Sequence, residues 1–368
     1  MRRVVHLMLW SAAVLVAAPD ADPLRQAREL NNQAAALYGR GQLEAAEPLY
    51  RAALALRFDD PIMVAKISSN LGALYKRLDR YSDAERLYQQ ALDLRRKWLP
   101  STRPEIADSM NNLGEIYRLE GRYWEARNLT VAAVQALERS DPSSPDMPIF
   151  LNNWAGLERD LHHPEAAEPL LRRALGLAEA SSGPASRPVA TVLNNLAQLL
   201  AAERDFTNAE PLYRRAAAIF EKPDSESPHD LAVVLSNLGR MLVTVDRVAE
   251  ARTTERHALA LLDAEPYPDI LLRAAVLQNL GTILAAQGDP ADALPYFERS
   301  LTFEERILGP DHPRLAEVLM DYSDAACRAG EKSRARKLSK RAGQLLARER
   351  QDDRSRYTVD ASTFVRPR

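Results

Sequence analysis

One cysteine, Cys327, is all the chain carries, so no disulfide framework can form within it. Aromatic residues make up only 6% of the 368 residues. β-Branched runs are few, while Ala, Leu, Arg and Glu abound, and that balance favours helices over strands. Neither sign of charge dominates. The formal net charge of −2 lacks the footprint of a nucleic-acid binder, so no nucleic-acid partner is expected. Catalytic signatures are missing too: there is no Gly-rich dinucleotide or phosphate loop, no Gly-x-Ser-x-Gly elbow and no His-Glu-x-x-His pair. The six histidines fall at no metal-ligand spacing. His162 and His163 read as turn residues, His229 and His312 as connector residues, and the Asp311-His312 pair has no nucleophile beside it. The expectation is a protein that is not an enzyme and needs no metal or cofactor. Cys327 is expected to be packed inside a helix.

Long apolar runs are confined to the start. Met1, Arg2 and Arg3 precede an apolar stretch from Val4 to Ala18 broken only by His6 and Ser11. That order fits an export signal, and the stretch is short for a membrane span. Pro19 would follow a cut after Ala18, which keeps an uncleaved short anchor open as the alternative. Residues 1–21 are therefore read as a signal peptide or anchor, and the protein as exported to a bacterial-type envelope or secreted, with a cytoplasmic location as the other reading.

Beyond Asp22 the chain repeats itself. An alanine recurs at positions 46, 84, 126, 167, 209, 251, 293 and 335, with spacings of 38, 42, 41 and then 42 throughout. Seven residues later stand Ala53, Ala91, Ala133, Ala174, Ala216, Ala258, Ser300 and Ala342. Twelve residues before the alanine stand Ala34, Gly72, Gly114, Ala155, Ala197, Gly239, Gly281 and Ser323. Small side chains at three fixed places let two helices approach closely, while Leu71, Tyr75, Leu87 and Leu92 and their counterparts fill the space between. Pro104, Pro188, Pro228 and Pro313 mark the starts of first helices, with Asp311 and Ser227 as candidate caps. Pro48, Pro169, Pro211 and Pro295 are placed near the first turn of second helices. Eight helical hairpins over residues 22–350 follow, with the terminal ones degenerate.

This pattern of small residue, Tyr or Leu, Gly-Arg-Tyr turn, Ala, Tyr or Phe, and Ala resembles the tetratricopeptide repeat. The ordinary unit of that family has about 34 residues. The longer unit here, with "LGPDHPRLAEVL" between hairpins and "AEPLYRRA" in a second helix, is similar to the kinesin light chain subgroup. The resemblance implies an all-α solenoid of eight antiparallel helix pairs in a right-handed superhelix, whose concave groove binds proteins or peptides.

Polar pairs recur on the first helices: Asn31-Asn32, Ser69-Asn70, Asn111-Asn112, Asn152-Asn153, Asn194-Asn195, Ser236-Asn237 and Gln278-Asn279. Asparagine is a mediocre helix former, so repeated mid-helix copies need a reason. Two are open. In the first, Asn70, Asn112, Asn153, Asn195, Asn237 and Asn279 line the groove and hold a peptide backbone, flanked by Lys76, Arg118 and Arg159, which suits an extended or acidic ligand. In the second, the same amides tie neighbouring hairpins together. A peptide-responsive cytoplasmic regulator is the alternative function. The last 38 residues hold 12 Lys and Arg against 5 Asp and Glu; residues 351–368 are read as a basic, disordered tail. Membrane contact is expected only through that tail or the N-terminus.

Overall fold

The structure is a computed structural model that describes residues 22–222, 228–264 and 269–357. Residues 1–21, and with them the export reading, lie outside the described residues. Every described element is a helix, sixteen in all, and the helices group into two units. The first, up to Asp141, holds three antiparallel pairs: α1 (Pro23–Gly39) with α2 (Leu43–Ala55), α3 (Pro61–Arg77) with α4 (Tyr81–Trp98), and α5 (Pro104–Leu119) with α6 (Tyr123–Ser140). The second, from Pro142, holds five. These are α7 (Met147–Asp160) with α8 (Pro164–Ser182), α9 (Arg187–Ala202) with α10 (Phe206–Phe220), and α11 (Pro228–Thr244) with α12 (Val248–Ala264). They continue with α13 (Ile270–Ala286) and α14 (Pro290–Leu308), then α15 (Leu315–Arg328) and α16 (Lys332–Tyr357). Eight helix pairs is the fold that the repeat implied.

The three small positions are where the helices of a pair meet. The recurring alanine is fully buried from Ala46 through Ala293, and Ala335 is 7% exposed. Opposite the glycines sits the residue four places after that alanine. A Cβ on Gly72 would lie 3.1 Å from the Tyr88 ring, and one on Gly281 would lie 2.8 Å from the Phe297 ring. Only the absence of a side chain lets those rings lie on the backbone of the first helix.

Each pair closes through the same turn. Its left-handed residue is Gly41, Asp79, Gly121, His162, Arg204, Asp246, Gly288 or Gly330. The next backbone N–H then donates five residues back, as Arg80 does to Tyr75 and Arg122 to Tyr117. This is the glycine-type helix stop, and four of the eight use a residue with a side chain.

Several sequence expectations shift. The interior prolines 48, 169, 211 and 295 sit six residues into their helices, in the second turn, rather than in the first. All four are exposed, as are the residues four places earlier, so the carbonyls that lose a partner lie on the wet side. Pro313 and Asp311 precede α15 without starting or capping it; the cap is Arg314, whose N–H donates to His312 Nδ1. Carboxylate caps form instead at Asp60, which accepts from Met63 N at 2.9 Å, and at Asp269, which accepts from Leu272 N at 2.9 Å. Ser227 lies outside the described residues. Cys327 is exposed, because the last pair turns that side of α15 outward. Helix α16 passes the expected boundary at residue 351 and runs to Tyr357, since an established helix gains one hydrogen bond for each residue added. Residues 358–368 lie outside the described residues.

The connectors carry one titratable tie. His229 sits between Asp230, 3.5 Å away, and Asp269, 3.4 Å away, joining the start of α11 to the cap of α13. Hydrogen bonds to Asp230 and Asp269 push its pKa from 6.5 up to about 9. A histidine whose folded pKa is raised stabilises fully below 6.5, and its contribution disappears as the pH rises through about 9. His229→Gln should therefore lower the melting temperature in mildly acidic buffer, and the gap from wild type should close in alkaline buffer. A constant gap across that range would contradict the tie.

Candidate functional site: the polar faces of the first helices

The asparagine pairs occupy the seams between successive first helices. Within the first unit, Asn70 Nδ2 donates to Asn31 Oδ1 at 2.9 Å. Within the second, Asn195 Nδ2 donates to Asn152 Oδ1 at 2.8 Å, and Asn237 Nδ2 to Asn194 Oδ1 at 3.0 Å. Asn279 Nδ2 reaches Ser236 Oγ at 3.1 Å and Glu255 Oε1 at 2.8 Å, and Gln278 Nε2 reaches Asp321 Oδ2 at 2.8 Å. In four of these seams the second member of one pair donates to the first member of the pair before it; in the last, the first member, Gln278, donates to Asp321 of the next pair. First members Asn31, Asn111, Asn194 and Ser236 are buried. They are away from the core of their own hairpin and inside the seam with the next. The amides thus tie hairpin to hairpin.

The same geometry leaves the second members facing outward. Asn70, Asn112, Asn153, Asn195, Asn237 and Asn279 are all half-buried. An amide offers two N–H groups and two acceptor lone pairs, and one seam bond uses a quarter of that capacity.

The flanking cations are more committed than their spacing suggested. Lys76 Nζ lies 2.7 Å from Glu115 Oε2, on the next first helix. Arg159 hydrogen-bonds Gln198 on the next first helix and pairs with Asp160 at 3.2 Å. Arg118 is half-buried. The cation that stands open is Arg240, exposed on α11 three residues after Asn237 and with no ion-pair partner among the described residues. Sequence reasoning passed over it, because Lys76, Arg118 and Arg159 each stand six residues after an asparagine of the set, and at that place this copy has Val243. The signal was its i, i+3 spacing from the asparagine.

A second set of seam contacts also went unread in the sequence. The arginine of the Gly-Arg-Tyr turn reaches the glutamate that follows the alanine of the preceding pair. Arg80 meets Glu47 at 3.2 Å, Arg122 meets Glu85 at 2.8 Å, and Arg247 meets Glu210 at 2.7 Å. Two of these guanidinium groups stack on rings, Arg80 on Tyr75 at 4.0 Å and Arg122 on Tyr117 at 3.7 Å. Arg215 and Arg341 hold the connector of the pair before, through Glu179 with Pro184 O and Glu305 with Pro310 O. These ties explain why so many arginines recur in phase, and they are structural in kind.

Among the described residues no group of three or more His, Cys, Asp or Glu is arranged to hold a metal ion. Two buried carboxylates stand out. Glu158 accepts from Trp154 Nε1 at 2.7 Å and lies 3.1 Å from His163 Nδ1. Glu255 is fully buried, and its Oε2 has no hydrogen-bond partner. Burial drives its pKa well above the ordinary 4.5, against smaller opposing contributions from Asn279, Arg240 and Ser236.

Comparison with known proteins agrees with this geometry. Tetratricopeptide repeat models match residues 30–57, 63–139, 146–222, 189–264 and 272–346. Protein KINESIN LIGHT CHAIN-RELATED 1 of Arabidopsis thaliana is 26% identical over 122 residues, which are 33% of this chain and 20% of that protein. The chain thus matches about a fifth of that relative's length. A tetratricopeptide repeat protein from Parabacteroides merdae has a similar fold, with a TM-score of 0.51 and 18% identity over 81% of this chain and 99% of that one. BtubC (BKLC) from P. vanneervenii superposes with a TM-score of 0.49 and 21% identity, covering 68% and 94% of the two chains. Such repeats are scaffolds typical of protein–protein interaction. With models matching most of its length and eight hairpins in phase, the chain belongs to the tetratricopeptide repeat family.

Proposed function

We propose that the chain is a scaffold that holds an extended, acidic protein segment against the outward faces of its first helices. The observation that carries this reading is the face of the second unit around Arg240. Asn195, Asn237 and Asn279 stand there one repeat apart, each half-buried and using part of its bonding capacity, and the open guanidinium lies beside the middle one. Amides at repeat spacing match the alternating donors and acceptors of a peptide backbone, and the cation matches a carboxylate. In the first unit Asn70 and Asn112, with Lys76 and Arg118, are proposed to act likewise, and Asn153 with Arg159 at the start of the second. The seam bonds make these asparagines double-purpose, so Arg240, which makes no ion pair among the described residues, is the cleaner handle.

The experiment is titration of an acidic peptide, recovered with the chain from a displayed peptide library, into wild type and Arg240→Glu. A charge-assisted contact is worth about 1.5 to 3 kcal/mol, so the variant should bind at least about tenfold more weakly while its helical circular dichroism is unchanged. Equal affinity would remove this face from the reading. Export is proposed from the pattern of Met1 to Ala18. Fusing that segment to a reporter active only outside the cytoplasm should give signal, and Leu15→Asp with Val16→Asp should abolish it.

A further inference from the structure

The outward side of the last helix pair carries charge of one sign. From Lys332 to Ala347, α16 carries six cations and no acid. Arg334 pairs with Glu331, and Arg341 with Glu305. Lys332, Arg336 and Lys340, spaced four apart on one helix face, are exposed and have no ion-pair partner among the described residues; Lys337 beside them is the same. A helix that served only to solubilise the end of an array would suit mixed charge, as on α1, where Arg25 pairs with Glu29 at 3.1 Å.

Beside this stripe runs a groove of about 600 Å³ between α15 and α16. In the preceding pair the corresponding space is filled, because the Phe297 ring lies on Gly281. Here the two places are Ser323 and Ser339, and Ser323 Oγ donates to Ala335 O at 2.9 Å instead of meeting a ring. Met320, 55% exposed, and Cys327 give the groove an apolar floor. Its one acid, Asp324, lies 3.8 Å from Arg328. Within each unit every earlier second helix packs against the first helix of the next pair, as α14 does against α15. On α16 no described helix fills that place.

We infer that this face docks an acidic amphipathic helix of a partner protein, laid where a further first helix would stack. Its apolar stripe would cover Met320 and Cys327 while its carboxylates meet Lys332, Arg336 and Lys340. An anionic membrane fits less well, since the exposed positions of α16 from Lys332 to Gln344 hold no large apolar side chain to insert. The surface is separate from the face around Arg240, and either assignment can fail alone.

The test uses the full chain and a synthetic helix of about 18 residues, roughly five turns, with leucines at i, i+3 and i+4 and glutamates elsewhere. Fluorescence anisotropy should show binding. The bound peptide should also slow alkylation of Cys327 by iodoacetamide, which localises it, because the chain has no other cysteine. Arg336→Glu with Lys340→Glu should weaken binding by at least about tenfold, and a lysine-for-glutamate version of the peptide should restore it to that variant. Unchanged helical circular dichroism confirms the variant's fold, and Arg336→Gln alone gives a milder version of the same loss. The inference is overturned if charge reversal leaves affinity unchanged, if the peptide does not protect Cys327, or if vesicles of phosphatidylcholine with about a third phosphatidylserine bind and the peptide does not.

Discussion

Glu255→Gln should raise the stability of the second unit at neutral pH, because it removes a buried carboxyl whose raised pKa lets the unfolded chain release the proton more readily than the folded one. The gain should shrink as the pH falls toward 4.5, the ordinary carboxyl value. A group whose folded pKa is raised leaves the native state fully stable below its unfolded pKa. Stability is then lost as the pH climbs from there through the folded value, since the unfolded chain releases the proton first. Wild type should therefore weaken on going from acid to neutral pH through this one residue, and the glutamine variant should lack that slope. Three groups face the carboxyl and define its surroundings: Asn279 from α13, and Ser236 and Arg240 from α11. Arg240 does not rescue it, as desolvation outweighs that attraction. Hydrogen exchange of α11 to α13 is the appropriate readout, because repeat arrays open locally. Equal protection in the two proteins at neutral pH would show that the carboxyl finds a partner in solution.

Phe297→Ala should have the opposite effect at the equivalent place, costing about 3 to 5 kcal/mol. The ring is 1% exposed, lies on Gly281 and stacks on Tyr322 with 6.0 Å between centroids. Truncation removes contact with α13 and α15 at once, and the glycine opposite has no side chain with which to close the gap. Phe297→Leu should cost markedly less by keeping most of the volume. Thermal melts followed by circular dichroism will rank the three proteins; alanine and leucine variants that melt together would show that the site collapses freely. Positions 255 and 297 differ by one repeat, and the contrast between them isolates what a buried charge does in a frame built for a ring.

The fold was legible because it rests on spacing. Three small residues at fixed offsets, repeated eight times, say which faces meet, and Ala46, Ala53 and Ala34 are buried where that reading put them. The seams were less legible. A single helix's periodicity separates its core stripe from the rest, but it does not distinguish solvent from a neighbouring hairpin, so Asn31 and Asn194 looked outward and are enclosed. The partners of Lys76 and Arg159 went unread for the same reason: Glu115 and Gln198 lie 39 residues away, which is about one repeat and invisible to local inspection. Cys327 was expected to be packed, but the last pair has no described successor to cover it. Ser323 and Ser339 carried that information in plain view, since theirs is the one hairpin with serine at both places.

The central claim is that this is a scaffold which recognises protein segments through the outward faces of its first helices, and the most direct measurement is a comparison of bound peptides. The full chain, Arg240→Glu and the Arg336→Glu, Lys340→Glu double variant are each panned against one displayed peptide library, and the recovered peptides are titrated into all three. The account predicts acidic, extended peptides that bind wild type, lose at least about tenfold with Arg240→Glu, and bind the end-face variant as they bind wild type. A library that yields no peptide dependent on Arg240, while all three proteins remain folded, would contradict it.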